Sequence, residues 1–145
     1  MGPLRERATH PRHESRIRGR IEPPVVPPAT SADPIDRAHL ARYTLGSPTL
    51  EREILGLFLA QLPLSIEQLR FAATDREWQV AAHTIKGSAR AVGAWEIASL
   101  AREAELSPGI ADEAERDRIL ATLEAACERA ETYVAATVPA EQARA

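Results

Sequence analysis

The sequence is poor in the residues and runs that mark several common classes of protein. A single cysteine, Cys127, excludes an internal disulfide and is compatible with a reducing compartment. No apolar run approaches the ~20 residues that a membrane-spanning helix requires. The N-terminus contains arginines but no apolar stretch of the kind that secretion signals carry. We therefore expect a cytoplasmic protein that does not insert into a membrane.

Aromatic residues are also scarce, at 4% of the 145 residues, although hydrophobic residues make up 44%. The core must therefore be built mainly from leucine, isoleucine, valine and alanine. Such a composition favours closely packed helices over a β-sheet. The net charge of −3 argues against a protein dedicated to binding nucleic acid.

The chain divides into a tail and one helical domain. Residues 1–32 hold six arginines among proline, histidine and serine, and they end in a proline-rich stretch. Because proline imposes extended, unpaired backbone, we predict a disordered tail over residues 1–32. The periodic pattern predicts a single domain over residues 33–138, followed by a C-terminal tail over residues 139–145.

The first two helices of the domain have clear start signals. Asp33 and Pro34 supply an N-cap and a first-turn proline for a short helix that ends at Gly46. Its apolar positions are Ile35, Leu40 and Tyr43. Ser47 and Pro48 repeat the start signal for a longer helix. Its apolar positions are Leu50, Ile54, Leu57, Phe58, Leu62, Ile66 and Leu69. Pro63 predicts a kink in this helix and not its end.

Three more helices follow. Thr74 and Glu77 form a capping box at the start of the third helix, which ends at Gly93. Its apolar positions are Trp78, Ala81, Ile85, Ala89 and Val92. The fourth helix is predicted from about Ala94 to Leu106. The apolar positions of the fifth are Ile119, Leu123, Ala126, Ala130 and Tyr133, with Cys127 beside them as a small core residue. The pattern predicts an all-α fold, an up-down-up-down four-helix bundle with a short additional N-terminal helix.

The polar side of the third helix carries an unusual group of residues. Lys86 is the only lysine in the chain, whereas seventeen residues are arginine. Residues three and four apart share a helix face, so His83, Lys86 and Gly87 are predicted to form one exposed patch. The imidazole is a nucleophile, and the adjacent ammonium would stabilise a phosphoryl group attached to it. This pattern points to a site that carries a phosphoryl group on His83.

Gly87 supports this interpretation because an exposed glycine within a helix costs about 1 kcal/mol relative to alanine. A bare position beside His83 would let a partner approach the imidazole closely. The alternatives are a tolerated defect or close packing against another helix. Ser88, the next residue, is predicted to bond back to the carbonyl of Thr84 in a structural role.

The stretch from Ala82 to Ala89 resembles the H-x-x-K-G-[SA] signature of histidine-containing phosphotransfer (HPt) domains of bacterial multistep phosphorelays. The likeness extends over roughly residues 33–138. It implies that His83 accepts a phosphoryl group at Nε2 from the aspartate of one receiver domain and passes it to another. Lys86 would steady the phosphoryl group, and Gly87 would leave room for the receiver.

The resemblance also implies that the protein is a phosphocarrier and not an enzyme, with no cofactor of its own because the receiver supplies Mg²⁺. Its partners would be receiver domains and a hybrid sensor histidine kinase, and we expect it to be a monomer. The receiver would dock over the second and third helices. Its polar contacts on the third helix would be Arg76, Gln79 and Arg90.

Three other functions are compatible with the sequence. A phosphorylated domain of a histidine kinase would use similar chemistry, but the chain has no glycine-rich ATP-binding motif. A helical adaptor without phosphoryl chemistry would bind its partners even after a His83→Gln substitution. A nucleic-acid-binding protein that acts through residues 1–32 would lose affinity steeply as salt rises.

Overall fold

The computed structural model describes residues 33–138, and this part of the chain consists of helices joined by short turns. The helices are α1 (Arg37–Thr44), α2 (Pro48–Arg70), α3 (Asp75–Val92), α4 (Trp95–Leu106) and α5 (Glu113–Thr137), with a 3₁₀ turn at Gly109–Ala111. In the ring formed by α2 to α5, α3 packs against α2 and α4, and α5 closes the ring against the same two helices. The predicted four-helix bundle with a short leading helix is confirmed.

The helix α1 packs against α2 and α3. None of the helices within residues 33–138 is long and apolar enough to cross a membrane. The predicted tails at residues 1–32 and 139–145 lie outside the described residues.

The start of α1 differs from the prediction. The N-cap is Asp36, whose Oδ1 accepts a hydrogen bond from the amide of His39 at 3.1 Å, and not Asp33. The amide of Asp36 also donates to the carbonyl of Gly93 at 2.8 Å, and the indole of Trp95 donates to its Oδ2 at 2.9 Å. These contacts fix the segment before α1 to the turn between α3 and α4. A tertiary anchor therefore sets the helix start, and the local signal at Asp33 does not.

The start signals of the longer helices are confirmed. Ser47 caps α2 by accepting a hydrogen bond from the amide of Leu50, and the helix passes through Pro63 to its end at Arg70. Thr74 caps α3 by accepting from the amide of Glu77 at 3.1 Å. The α3 helix ends at Gly93 with a φ of 79°, a left-handed conformation that favours glycine.

The prediction of which apolar residues of α2 are buried is only partly correct. Leu57, predicted among the apolar positions, is 68% exposed, and Tyr43 of α1 is also exposed. Leu55 is fully buried although the predicted stripe omits it. Residues 54–66 contain no charged residue, so the sequence of α2 is apolar on most of its circumference. Periodicity alone therefore cannot fix which face of this helix points inward.

The packing of α3 on α4 sets the position of the site described below. Trp78 is buried, and its indole nitrogen donates to the carbonyl of Ala104 at 2.7 Å. The contact face of α4 consists mostly of alanines, which allow close approach. They are Ala98, Ala101 and Ala104. Because the Trp78 bond fixes the register of the two helices, Glu105, which follows Ala104, is brought beside the middle of α3.

The last helix, α5, places its predicted apolar positions in the core, with Tyr133 partly buried. Cys127 is buried beside them, as predicted. Burial, together with the nearby carboxylate of Glu131, raises the pKa of its thiol to about 11. This cysteine is therefore a packed core residue with little thiolate at neutral pH.

Candidate functional site

His83 lies near the middle of α3 on the side that faces solvent. Its side chain is 68% exposed, whereas Trp78, Ile85 and Ala89 on the opposite side of the helix are buried. We call the exposed side of α3 the His83 face. It comprises Arg76, Gln79, His83, Lys86, Gly87 and Arg90. The predicted division of this helix into a buried and a polar side is confirmed, and it leaves the imidazole accessible.

A carboxylate from the neighbouring helix connects the two central residues of the site. Glu105 of α4 places Oε2 at 2.9 Å from Nδ1 of His83 and Oε1 at 2.7 Å from Nζ of Lys86. The sequence interpretation did not include Glu105, because it lies 22 residues after His83 and the contact depends on the register of α3 and α4. Its place in the last turn of α4 offers no local signal of such a role.

The contact with Glu105 determines which nitrogen of His83 is free. An ionised carboxylate only accepts hydrogen bonds, so a neutral imidazole must place its single N–H on Nδ1 to bond with Glu105. The hydrogen bond from Lys86, with a smaller contribution from His83, holds the pKa of Glu105 below its usual range despite partial burial. Glu105 is thus ionised at neutral pH, and the lone pair of Nε2 is directed away from it.

Lys86 is held close to the imidazole and is not a freely solvated lysine. Its side chain is only 19% exposed, and its ammonium bonds to the same carboxylate as His83. An ammonium has three donors, so two remain for other acceptors. The ammonium of Lys86 and Nδ1 of His83 thus share one carboxylate.

Gly87 lies one turn after His83 with open space around it. A Cβ atom added at Gly87 would have no neighbouring heavy atom within 4 Å. The alternative that this glycine allows close packing against another helix is therefore wrong. The hydroxyl of Ser88 donates to the carbonyl of Thr84 at 3.1 Å, as predicted.

The three predicted docking residues all lie on the His83 face and are exposed. Within residues 33–138, the side chains of Arg76, Gln79 and Arg90 have no hydrogen bond or ion pair. The structure adds exposed apolar residues that the sequence interpretation missed. These are Phe71 at the end of α2, Val80 one turn before His83, and Leu106 after Glu105. Val80 was detectable from its spacing to His83, whereas the positions of Phe71 and Leu106 depend on helix packing.

Comparison with known proteins places this arrangement in a family. A family model described as Hpt domain matches residues 53–133, which is more than half of the chain. The chain belongs to the Hpt domain family. The matched part of this Hpt protein includes most of α2, all of α3 and α4, and α5 as far as Tyr133. Searches of curated proteins and of solved structures gave no significant match.

Family membership assigns the protein a general role in phosphotransfer within phosphorelay signalling, as a carrier of the phosphoryl group. Receiver domains and kinases are the partners that this membership implies. Within the described residues, no three His, Cys, Asp or Glu side chains are grouped in a way that could hold a metal ion.

Proposed function

We propose that this Hpt protein relays a phosphoryl group between the aspartates of two receiver domains, with His83 as the phosphoacceptor. The observation that carries the proposal is the geometry of the imidazole. Nδ1 of His83 is bound by Glu105 at 2.9 Å, and the ring itself is largely exposed. A nucleophile of this kind can reach a phosphoryl group on another protein without any opening of the bundle.

The transfer is a displacement at phosphorus. The lone pair of Nε2 attacks the aspartyl phosphate of the first receiver, an N–P bond forms, and the P–O bond to the aspartate breaks. The aspartate leaves as a carboxylate, and the ring of His83 gains positive charge shared with its Nδ1–H. The carboxylate of Glu105, already bonded to that N–H, stabilises the charge as it develops. Attack by the aspartate of a second receiver on the phosphorus reverses these bonds.

Lys86 stabilises the phosphoryl group itself. A phosphoryl group on an imidazole nitrogen brings close to two negative charges, and an ammonium nearby lowers their energy. Lys86 retains two donors beyond its bond to Glu105. Gly87 leaves the space through which the receiver approaches, and Arg76, Gln79 and Arg90 provide polar contacts around it. Mg²⁺ is expected on the receiver, with no cofactor on this chain.

We also infer the setting in which the carrier acts. A hybrid sensor histidine kinase would supply the phosphoryl group through its receiver domain, and a separate response regulator would accept it. The carrier would act as a monomer in the cytoplasm, because the residues of the proposed site all come from one chain and the site requires no second copy.

The test is phosphotransfer from a radiolabelled, phosphorylated receiver domain in the presence of Mg²⁺. The wild type should take up label that is labile in acid and stable in alkali, and the His83→Gln variant should take up none. Label that persists on His83→Gln would contradict the assignment. A folded wild type that binds receivers but takes no label from a panel of them would favour the adaptor function.

A further inference from the structure

The last turn of α4 is held by several hydrogen bonds to one carbonyl. The carbonyl of Ala104 accepts from the indole N–H of Trp78 at 2.7 Å, from the hydroxyl of Ser107 at 2.8 Å and from the amide of Ser107 at 3.1 Å. This carbonyl and the amide of Glu105 belong to the same planar peptide group. The backbone that carries Glu105 is therefore fixed from the buried side of the helix.

The turn after α4 holds the ring of Trp78 in place. Gly109 is buried with a φ of 69°, and a Cβ atom added to it would lie 2.9 Å from Cδ1 of Trp78. The amide of Gly109 also donates to the hydroxyl of Ser107 at 3.2 Å. Because these groups contact one another around one indole, we call Trp78, Ala104, Ser107 and Gly109 the Trp78 clamp.

The Trp78 clamp reaches the phosphoacceptor only through Glu105. Trp78 is 1% exposed and lies five residues before His83, about 7.5 Å along the axis of α3. The carboxylate of Glu105 bonds to Nδ1 of His83 at 2.9 Å, a contact that depends on where the backbone of Glu105 is held. A displacement of about 1 Å at an oriented site can change a rate by as much as about 100-fold.

We propose that Trp78 is a positioning residue, which acts through Glu105 to place the proton of the His83 imidazole on Nδ1. Gly109 contributes by leaving the space that the indole occupies. The effect on phosphotransfer rests on the proposed function, because it requires His83 to be the phosphoacceptor. The effect on the imidazole proton does not depend on that function.

The first comparison uses the two tryptophans of the chain. Trp78→Phe keeps an aromatic ring and removes the indole N–H that bonds to Ala104. Trp95→Phe makes the same change where the N–H bonds to Asp36 at 2.9 Å. Trp95 lies ten residues before Glu105, about 15 Å away along α4, so it is a matched control for the loss of a tryptophan.

The second comparison uses two glycines with positive φ. Gly109→Ala pushes against the ring of Trp78, whereas Gly46→Ala has a similar φ of 78° and no neighbouring atom within 4 Å of the added Cβ. Both substitutions strain the backbone, and only Gly109→Ala disturbs the Trp78 clamp.

Two readouts are needed besides urea unfolding, which measures the stability of each variant. Nitrogen-15 resonance in mildly alkaline buffer gives the fraction of His83 rings with the proton on Nδ1. The initial rate of labelling by a small radiolabelled phosphoramidate measures the reactivity of Nε2 without a docked partner. Trp78→Phe and Gly109→Ala should lower the Nδ1 fraction and slow labelling by about three- to tenfold. Trp95→Phe and Gly46→Ala should match the wild type in both readouts, even where they lose as much stability.

A double variant tests whether Trp78 acts through Glu105. Trp78→Phe combined with Glu105→Gln should be labelled no more slowly than Glu105→Gln alone, because the two changes remove one and the same effect. Rate losses that multiply would overturn the proposal. An unchanged Nδ1 fraction in folded Trp78→Phe, or an equal change in Trp95→Phe, would also overturn it. Failure of the proposed function would look different, since the wild type would take no label on His83 while the resonance of the imidazole would still test the Trp78 clamp.

Discussion

The ion pairing of arginines differs between two sides of the bundle, the outer side of α4 and α5 and the His83 face. On the outer side of α4 and α5, two arginines are neutralised by nearby carboxylates. Arg118 pairs with Glu103 and with its own-helix neighbour, and Arg129 pairs with Glu96. Exposed pairs of this kind contribute little to stability, typically 0 to about 1 kcal/mol each. Because Arg118 and Arg129 are already paired, neither offers free positive charge to an incoming anion.

The His83 face has the opposite arrangement. Arg76 and Arg90 have no ion pair within residues 33–138, and Lys86 is paired only with the carboxylate that also holds His83. Unpaired positive charge and an accessible imidazole on one face are suited to a phosphorylated, acidic partner. The two sides therefore differ in these named residues: Arg118 and Arg129 are compensated by carboxylates, whereas Arg76 and Arg90 leave positive charge available for binding.

Among the variants that test this difference between the two sides, Lys86→Ala should reduce the rate of phosphotransfer most. Phosphotransfer to His83 should fall about 10- to 100-fold, because the phosphoryl group loses its nearest cation. Lys86→Arg should restore part of the rate. The matched change on the other side, Arg129→Ala, should leave the rate within about twofold of wild type, since it removes only a surface ion pair. Equal losses in the two alanine variants, measured by initial transfer rates, would contradict the distinction.

A smaller effect is expected from Glu105→Gln. The amide keeps a hydrogen-bonding group near Nδ1 of His83 but removes the negative charge, so transfer should fall about tenfold. Glu103→Gln removes a carboxylate of the outer side and should have little effect. Wild-type rates in Glu105→Gln would show that its carboxylate does not assist the transfer.

The lowered pKa of Glu105 leads to a prediction about how the stability of the fold depends on pH. The pKa of Glu105 is lowered in the folded state, mainly by Lys86, so its stabilising contribution is present above the usual glutamate pKa of about 4.3. The contribution is lost as the pH falls through the lowered pKa. The difference in melting temperature between wild type and Glu105→Gln should be present at pH 7 and shrink below about pH 4. A difference that does not change over this range would contradict the ion-pair geometry.

The smallest effect on phosphotransfer is expected from alanine substitution of an exposed helical glycine, and it should differ between Gly56 and Gly87. Gly56 of α2 and Gly87 of α3 both have open space where a Cβ would lie. Alanine should stabilise the protein at either position by about 0.5–1 kcal/mol, as measured by urea unfolding. Only Gly87→Ala should also slow phosphotransfer, by about three- to tenfold, through crowding of the approach to His83. Equal transfer rates in the two variants would remove the proposed role of Gly87.

The sequence predicts those parts of the site that depend on one helix. The spacing of His83, Lys86 and Gly87 and the buried side marked by Trp78 are local properties of α3, and the structure has them as expected. Glu105 is a different case. Its contact with His83 depends on the register of α4 against α3, which the bond from Trp78 to Ala104 fixes. No pattern within α4 encodes that register.

Two of the errors in the fold have the same origin. The start of α1 at Asp36 results from contacts with Gly93 and Trp95, which lie far along the chain. The exposure of Leu57 results from the choice of one face on a helix that is apolar almost all round. In both places tertiary contacts decide between local options that the sequence leaves nearly equal.

The most direct test of the account is nuclear magnetic resonance of the His83 imidazole in ¹⁵N-labelled protein, before and after phosphorylation, with His83→Gln for assignment. We predict a proton on Nδ1, hydrogen-bonded to Glu105, before phosphorylation, and coupling of phosphorus to Nε2 afterwards. Phosphorus on Nδ1, or a proton on Nε2 with a bare Nδ1 in the free protein, would contradict the role assigned to Glu105. Phosphorus on any group other than His83 would contradict the central claim.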